Sequence, residues 1–276
     1  MNVEADNKKG DSSPASIAKK FVEARLRGVS LREFPGTIPS NLEEAYICQE
    51  AAIPFWPDEI AGWKIGLVSS DVENAHGQMR LAGPIFRRSV KHAILLAPPV
   101  IFPVFVGGFA AVEAEFVFKI SRDVPANKLQ WTSAEALDFA SNLHIGVELA
   151  GSPLASINAL GPKAIISDFG NNVGLIVGPP IMAWHGKASS DLDCETYIDG
   201  LCVGRGNAAS IPGGPTEALR WLLEHCARRR RPLKRGQLVS TGAVTGIHTI
   251  LAGQTAVVGF GIRGSIACVA AAAAPT

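Results

Sequence analysis

Two glutamates in one apolar segment have the spacing of a metal-binding pair. Glu113 and Glu115 lie between Val112, Ala114 and Phe116, and residues two apart on a β-strand share a face, with their backbones about 7 Å apart. Two buried carboxylates at that distance repel each other, because a medium of low dielectric constant opposes their joint ionisation. A bound cation would relieve the repulsion, and an all-oxygen ligand set favours Mg²⁺ or Mn²⁺ over Zn²⁺. A strand with a solvated glutamate face is the alternative interpretation.

The glutamate pair is one of four motifs that follow one another along the chain. They are Gly62-Trp63-Lys64-Ile65-Gly66-Leu67, Val112-Glu113-Ala114-Glu115, Gly146-Val147-Glu148-Leu149 and Ser167-Asp168-Phe169-Gly170-Asn171-Asn172. In this order they resemble the motifs of the 2-keto-4-pentenoate hydratase and 4-oxalocrotonate decarboxylase family, which belongs to the fumarylacetoacetase-like superfamily. The resemblance extends from residue 60 to the last residue and includes a turn at residues 232–236 that matches a signature of the family.

The resemblance implies three metal ligands and a substrate pocket. The ligands of the Mg²⁺ or Mn²⁺ ion would be Glu113, Glu115 and Glu148. The catalytic residues that line the pocket would be Lys64 and Asp168. The residues expected to bind the substrate are Gly66, Leu67, Ser69, Asn171 and Thr241, and His76 is a weaker candidate for the same pocket.

Lys64 and Asp168 each have a functional and a structural interpretation. Lys64 could hold a substrate carboxylate as a cation, or move a proton if burial and the metal lower its pKa. It could also be an ordinary lysine whose ammonium reaches solvent. Asp168 could orient Lys64 or an attacking water, or it could form the turn before Gly170. The sequence leaves these alternatives open.

The activity implied by the resemblance is hydration of a small unsaturated 2-oxo acid. Water would add to a 2-hydroxy-2,4-dienoate to give a 4-hydroxy-2-oxo acid, in the catabolism of aromatic or steroid rings after meta-cleavage. The metal would stabilise negative charge on the 2-oxygen. The alternatives are decarboxylation of a 2-oxo-3-hexenedioate (4-oxalocrotonate), a C–C hydrolase of the same superfamily, and a non-catalytic partner subunit. The resemblance also implies a homo-oligomer and allows a complex with another enzyme of the pathway.

Three positions depart from the pattern of the family. Residues 82–86 lack an acidic residue that many family hydratases carry beside a proline, so a pocket acid is expected to be missing. No arginine follows Glu148 within a few residues, and Gly253-Gln254 stands where Gly-Asp is common. These departures leave the identity of the substrate open.

Helices and strands must position these residues. Capping and proline signals predict four helices, which begin near Pro14, Ser40, Thr132 and Pro215. The first is expected to end at Gly28 and the second at Pro54, and the capping box of the second would be Ser40 with Glu43. Short apolar segments between turn residues predict strands over residues 111–120, 164–167, 173–177, 238–240, 256–258 and 266–270.

These elements predict an α+β protein, and the resemblance implies a fumarylacetoacetase-like β-roll with flanking helices and a helical N-terminal region. Residues 1–13 are expected to be a disordered leader, residues 14–58 the helical N-terminal region, and residues 59–276 the catalytic domain. The uncharged stretch from His92 to Val112 has the length of a membrane span. Its prolines and glycines favour two strands separated by turns instead.

The composition limits the possible partners and the compartment. Twenty-six Lys and Arg residues balance 25 Asp and Glu residues, so the chain lacks the basic surplus that nucleic-acid binding requires. Five cysteines without a Cys-x-x-Cys pair indicate a reducing compartment and neither zinc nor disulfide chemistry. The polar first residues do not have the apolar core of a signal peptide. The expected location is the cytoplasm, and neither nucleic acid nor membrane is an expected partner.

Overall fold

The N-terminal region is helical, as its capping signals predicted. The structure is a computed structural model that describes residues 12–68, 79–94, 97–185 and 188–275, so most of the predicted leader lies outside the described residues. Helix α1 (Pro14–Leu26) begins where the Ser13 hydroxyl accepts a hydrogen bond from the backbone N–H of Ser16. Helix α2 (Leu42–Ala52) is followed by a 3₁₀ turn (Ile53–Phe55) that contains Pro54.

The predicted cap of α2 was wrong by one residue. Asn41, not Ser40, is the N-cap, and its side chain accepts a hydrogen bond from the backbone N–H of Glu44 at 2.9 Å. Glu44 in turn accepts from the backbone N–H of Ser40 at 2.9 Å. Asn and Ser are about equally good caps, so the sequence alone does not determine which of the two adjacent residues takes that position.

Three further helices lie within the described part of the chain. Helix α3 (Ser133–Leu137) starts with the predicted capping box of Thr132 and Glu135, and helix α5 (Gly214–Arg228) has Pro215 in its first turn, as predicted. Helix α4 (Pro162–Ser167) contains the segment 164–167 that was predicted to be a strand, and that prediction was wrong. A short buried apolar run does not distinguish a strand from a helix by its periodicity, and the decisive signal is Pro162 in the first helical turn.

The strands form two sheets. In chain order the strands are β1 (Ile60–Leu67), β2 (Arg80–Phe86), β3 (Val90–His92), β4 (Val100–Val104), β5 (Phe109–Ile120), β6 (Ala140–Ser152), β7 (Asn172–Pro180), β8 (Asp193–Ile198), β9 (Leu201–Asn207), β10 (Leu238–Ser240), β11 (His248–Thr249), β12 (Thr255–Gly259) and β13 (Ser265–Ala272). The larger sheet has the order β2-β1-β10-β5-β6-β7-β3, with β11 paired to β5, and the smaller sheet has the order β4-β13-β12-β8-β9.

The other five predicted strands all lie within observed strands, namely β5, β7, β10, β12 and β13. The uncharged stretch from His92 to Val112 contains the end of β3, the whole of β4 and the start of β5. No helix in the described ranges is long and apolar enough to cross a membrane. The α+β class predicted from the sequence is confirmed.

Alternation along β5 separates the main core from the face that carries the glutamates. Val112, Ala114 and Phe116 are fully buried in a core that also contains Val258 of the smaller sheet and Phe260, which directly follows β12. The Phe116 and Phe260 rings meet edge to face, with centroids 5.8 Å apart. Because successive side chains on a strand point to opposite faces, Glu113 and Glu115 point away from this core. They face the interior of the curved larger sheet, which we call the lumen.

Candidate metal centre and active site

The three predicted metal ligands come together on β5 and β6. These strands pair antiparallel, and Glu113 lies directly opposite Glu148, while Glu115 lies opposite Gly146. One carboxylate oxygen from each of Glu113, Glu115 and Glu148 lies within 4.8 Å of the other two, and all three residues are buried. The alternative of a solvated glutamate face therefore does not describe this strand.

Two oxygens of this cluster have no hydrogen-bond partner among the described residues. Glu115 accepts from the backbone N–H of Gly242 through Oε2 at 2.8 Å, but its Oε1 is buried and unpaired. Glu148 accepts from Asn172 Nδ2 through Oε1 at 3.1 Å, while its Oε2 is buried and unpaired. Buried carboxylate oxygens are normally satisfied by hydrogen bonds or a metal. The free oxygens, the hard ligand set and the short separations fit a divalent cation such as Mg²⁺ or Mn²⁺.

The electrostatics of the metal-free cluster favour protonation. Burial and then the charge of Glu148 raise the pKa of Glu113 to about 8. Burial, together with the charges of Glu148 and Glu113, raises the pKa of Glu115 well above its usual value, and the N–H of Gly242 opposes only part of this change. A metal ion must displace these protons to bind, because carboxylates coordinate in their ionised form.

Lys64 lies beside the cluster. Strand β1 pairs parallel to β10, which places Lys64 opposite Ser240, and the Lys64 Nζ atom is 3.2 Å from Glu148 Oε1. Burial alone would lower the pKa of Lys64, but the charges of Glu148, Glu113 and Glu115 outweigh it and raise the pKa. The sequence analysis considered a pKa of Lys64 lowered by burial and the metal, and in the protein without metal this pKa is raised instead. Lys64 is a buried cation, so the interpretation of a solvent-reaching lysine was wrong.

Asp168 is buried, but Lys64 is not among its described partners. Its Oδ1 accepts from Arg25 Nε at 2.5 Å, and its Oδ2 accepts from the Ser152 hydroxyl at 2.6 Å. Lys64 pairs with Glu148 instead, so Asp168 does not orient Lys64 directly, and its expected role toward an attacking water stays a prediction. Because both carboxylate oxygens already accept hydrogen bonds from the protein, the geometry favours Asp168 as an anchor for its own segment.

Arg25, on α1, was not identified from the sequence. Its Nη1 donates to the carbonyl of Asn172 at 2.9 Å, and its Nη2 donates to the carbonyls of Gly151 and Asp168 at 3.0 and 3.1 Å. The guanidinium thus joins the end of β6 to the start of β7. The segment after Glu148 lacks an arginine of its own, yet a guanidinium from a distant helix bonds to it. The sequence feature that could have identified Arg25 is its position four residues after Phe21, on the buried face of α1, where a charged residue is unusual.

The turn between Asp168 and Asn172 is strained. Phe169, Gly170 and Asn171 have φ values of 53°, 63° and 53°, and each of the two non-glycine residues costs about 1–3 kcal/mol in this left-handed region. Such strain persists only where the surroundings enforce the conformation. The turn packs tightly on β2, because a Cβ atom at Gly83 would lie 2.2 Å from the carbonyl oxygen of Phe169.

The departure at residues 82–86 has a structural counterpart. This segment forms the buried strand β2, which carries no acidic side chain. The backbone N–H of Ala82 donates to the Tyr46 hydroxyl at 3.0 Å, and the carbonyl of Ala82 accepts from Gln49 Nε2 at 3.0 Å. Helix α2 therefore holds β2 where the family commonly has an acid.

The predicted substrate-binding residues are only partly brought together. A Cβ atom at Gly66 would lie 3.5 Å from Lys64 Nζ, so the backbone at Gly66 adjoins the ammonium. Leu67 is half exposed. The Thr241 hydroxyl donates to the carbonyl of Phe116 at 2.8 Å. Ser69 and His76 lie outside the described residues.

Asn171 and Asn172 have different partners. Asn171 Nδ2 donates to Asn158 Oδ1 at 3.1 Å, and its own Oδ1 is buried and unpaired within the described ranges. Asn172, which the sequence analysis did not select, is the residue that bonds to Glu148. The sequence feature that could have identified Asn172 is its position directly before the predicted strand 173–177.

Comparison with known proteins supports the resemblance inferred from the motifs. No family profile matches the chain. A 2-keto-4-pentenoate hydratase of Burkholderia vietnamiensis (strain G4 / LMG 22486) is 24% identical over 262 residues, which cover 89% of this chain and 92% of that protein. A 2-keto-4-pentenoate hydratase of Paraburkholderia xenovorans (strain LB400) is 24% identical over 238 residues, which cover 82% and 83% of the two chains. The predicted resemblance to this family is confirmed.

Solved structures show the same fold. A 4-oxalocrotonate decarboxylase from Pseudomonas putida G7, complexed with magnesium and adipate, superimposes with a TM-score of 0.78 at 16% identity, covering 93% of this chain and 97% of that chain. A fumarylpyruvate hydrolase from Pseudomonas aeruginosa, in complex with Mn²⁺ and pyruvate, gives a TM-score of 0.56 at 14% identity, covering 76% and 89% of the two chains. The fold is that of the fumarylacetoacetase-like proteins, as the motifs predicted.

Proposed function

We propose that the protein is a divalent-metal-dependent hydratase that adds water to a 2-hydroxy-2,4-dienoate and forms a 4-hydroxy-2-oxo acid. The observation that carries this proposal is the buried cluster of Glu113, Glu115 and Glu148 with Lys64 beside it. The relatives named 2-keto-4-pentenoate hydratase, which match along most of their length, support the choice of hydration over other reactions of a 2-oxo acid.

Each group in the cluster has a distinct part in this proposal. Glu113, Glu115 and Glu148 would hold Mg²⁺ or Mn²⁺, which would supply a Lewis acid for negative charge on the 2-oxygen of the substrate. Lys64 is a buried cation that can hold a substrate carboxylate by charge-assisted hydrogen bonds. Asn172 keeps Glu148 in place through its hydrogen bond.

Asp168 and Asn171 would act at the edge of the site. Asp168 positions the turn that leads to Asn172, because Arg25 and Ser152 hold its carboxylate. Asn171 presents an unpaired Oδ1, which can accept a hydrogen bond from substrate or from water. Gly66 adjoins Lys64, because a Cβ atom at that position would lie 3.5 Å from the ammonium, and the missing side chain leaves more room for a substrate beside Lys64.

The test is turnover of 2-hydroxypenta-2,4-dienoate, followed as loss of ultraviolet absorbance with Mg²⁺, with Mn²⁺ and with EDTA. We expect turnover that depends on metal and falls at least about 100-fold in Glu113→Gln, because charge stabilisation in the transition state is lost. Glu43→Gln, at an exposed position of α2, is the matched control and should keep full activity.

A second substrate separates hydration from decarboxylation. With 2-oxohex-3-enedioate, release of CO₂ would assign the decarboxylase reaction, whereas a 4-hydroxy-2-oxo product from the dienoate supports the hydratase. If neither substrate turns over although the protein binds one metal ion per chain, the hydratase proposal fails, and a C–C hydrolase or a non-catalytic subunit becomes the better explanation.

We also propose that the protein acts in the cytoplasm as a homo-oligomer. The five cysteines are free, which suits a reducing compartment. Edge strand β4 and the loop after it expose Ile101 and Val106, whose surfaces are 67% and 65% accessible, and exposed apolar surface commonly marks a protein interface. Light scattering after gel filtration tests the oligomer, and a monomer at micromolar concentration would contradict it. A complex with another pathway enzyme stays a prediction.

A further inference from the structure

A cationic cavity lies in the lumen of the larger sheet, apart from the metal centre. Its volume is about 330 Å³, and its lining includes Arg87, His92, Lys119, His144 and Arg235. None of the described residues that line it is an aspartate or a glutamate. Its volume falls within the range of small-molecule sites, about 300–1,000 Å³.

The cavity and the metal centre occupy different positions along the same strand face, with the metal ligands near the middle of β5 and β6 and the cavity residues nearer the end of β5. Lys119 follows Glu115 by four residues on β5, about 13 Å along the strand, and His144 on β6 lies opposite Val117, about 7 Å along the strand from Glu115, so both residues lie on the glutamate face. An apolar cluster that includes Val117 separates the two ends. The cavity is therefore a separate site in the same lumen and not an extension of the metal centre.

Carboxylates compensate the charges at this end of the lumen only in part: Asp123 accepts a hydrogen bond from the backbone N–H of Arg235 at 2.9 Å but pairs with Lys234. Arg87 forms an ion pair with Glu59 at 3.1 Å, but both side chains are largely exposed, and such a pair contributes little. The side chains of Lys119 and Arg235 form no ion pair with any carboxylate among the described residues. Like charges gathered in a concave site repel one another and attract anions.

The positive charges that line the cavity also affect the pKa of His144. Its Nδ1 is 2.9 Å from the carbonyl oxygen of Gly178, which fixes the ring. Burial and the charges of Lys119 and His92 lower the pKa of His144, although the hydrogen bond to Gly178 opposes this. Arg87 and Arg235 add further positive charge from the neighbouring segments. An anion in the cavity would reduce the repulsion among all these groups.

We propose that this cavity binds a small oxyanion with two or more negative charges, either a phosphate group or a dicarboxylate. The arginines supply forked donors and Lys119 a compact charge, which together suit the several oxygens of such an ion. The proposal goes beyond the hydratase reaction and does not depend on it, because no group of the metal centre lines the cavity.

The experiment is calorimetric titration of the full chain with inorganic phosphate and, separately, with succinate, at constant ionic strength set with chloride. Each titration is made with Mg²⁺ and again with EDTA. We expect one saturable site whose affinity is the same with and without the metal. The anion that binds more tightly identifies the class of ligand. Binding that requires Mg²⁺ would place the anion at the metal centre and overturn the proposal.

Variants locate the site. The double variant Lys119→Gln/Arg235→Gln should bind the anion at least about tenfold more weakly, because it loses two charged hydrogen-bond donors. Lys234→Gln is the matched control: Lys234 is exposed, pairs with Asp123 and does not line the cavity, so its affinity should match the wild type. Mg²⁺ binding by each variant verifies that the sheet is intact. Equal anion affinity in the double variant and the wild type, or no saturable binding of either anion, would refute the site.

Discussion

At the scale of single residues, the charge balance of the cluster favours a divalent ion. Lys64 supplies one positive charge against three buried carboxyl groups, so one carboxylate is compensated and two are not. Burial and the charge of Glu148 raise the pKa of both Glu113 and Glu115, so a proton on each of these two carboxyls is favoured in the metal-free cluster. Mg²⁺ or Mn²⁺ brings the same two charges. A monovalent ion would leave a buried carboxylate uncompensated, and a buried unpaired charge is costly.

Lys64→Met separates substrate binding from metal binding. We expect kcat/KM for the dienoate to fall at least about 100-fold, because the buried cation that holds the substrate carboxylate is lost. Mg²⁺ affinity should not weaken, because all three glutamates remain and a competing cation is removed. Steady-state kinetics and Mg²⁺ titration calorimetry measure the two effects. Lys19→Met, at an exposed position of α1, is the control. Unchanged kcat/KM in a variant that binds Mg²⁺ would rule out this role for Lys64.

At the scale of elements, Arg25 makes α1 part of the active site. In Arg25→Lys the charge stays, but a lysine cannot reproduce the fork that bonds to the carbonyls of Asn172, Gly151 and Asp168. Asn172, which bonds to Glu148, then loses its anchor. We expect Mg²⁺ to bind about 10–100-fold more weakly, as for other residues that orient a metal ligand. Arg27→Lys, at the exposed C-cap of the same helix, should bind Mg²⁺ normally. Wild-type Mg²⁺ affinity in Arg25→Lys would contradict the argument.

The contact between β2 and the strained turn gives a prediction about stability. Gly83→Ala should lower the free energy of unfolding by about 1–3 kcal/mol, because its new Cβ atom overlaps the carbonyl oxygen of Phe169 and forces the backbone to shift. In Gly259→Ala, the matched control on β12, the nearest atom is 3.9 Å away, so the effect should be small. Urea denaturation gives both values. Equal stability of the two variants would show that the turn yields without cost.

Features that depend on local sequence signals could be predicted, whereas contacts between residues far apart in the sequence could not. The two-residue spacing of Glu113 and Glu115 predicted a shared face, and the register of β5 and β6 adds Glu148 as the resemblance implied. Arg25 could not be assigned to Asp168 from the sequence, because 143 residues separate them and their contact depends on how α1 packs. Helix α4 was misassigned because a short buried apolar run fits either type of element.

At the scale of the whole molecule, two long strands connect two chemically opposite ends of one lumen. Strands β5 and β6 carry three carboxylates near their middle, and Lys119 and His144 nearer the end of β5. The apolar cluster around Val117 and Leu175 lies between them. The register keeps the two groups apart along the strands, with His144 about 7 Å and Lys119 about 13 Å from the level of Glu115, so the carboxylates can hold a cation while the basic side chains attract an anion.

The buried carboxyls of the metal centre should control how the stability of the metal-free protein depends on pH. A carboxyl whose folded pKa is raised keeps its proton after the unfolded chain has lost it, so the folded state binds more protons and stability falls as pH rises. For Glu113 this loss runs from its ordinary pKa of 4.5 up to about 8. Below about pH 6.5 the buried His225, whose pKa is lowered to about 3 by burial and by Arg229 and Arg228, acts in the opposite direction.

The window between about pH 6.5 and 8 therefore isolates the metal centre. In EDTA we expect Tm to fall across this window, because each such carboxyl lowers the free energy of unfolding by up to about 1.4 kcal/mol per pH unit. Saturating Mg²⁺ should raise Tm, and this increase in Tm should be larger at higher pH, because the ion binds the ionised carboxylates. Glu113→Gln in EDTA should show a shallower fall than Glu43→Gln, which keeps all three carboxyls of the centre. A Tm in EDTA that stays constant or rises over this window would mean that these carboxyls are ionised without a metal, and the charge argument for a divalent site would then fail.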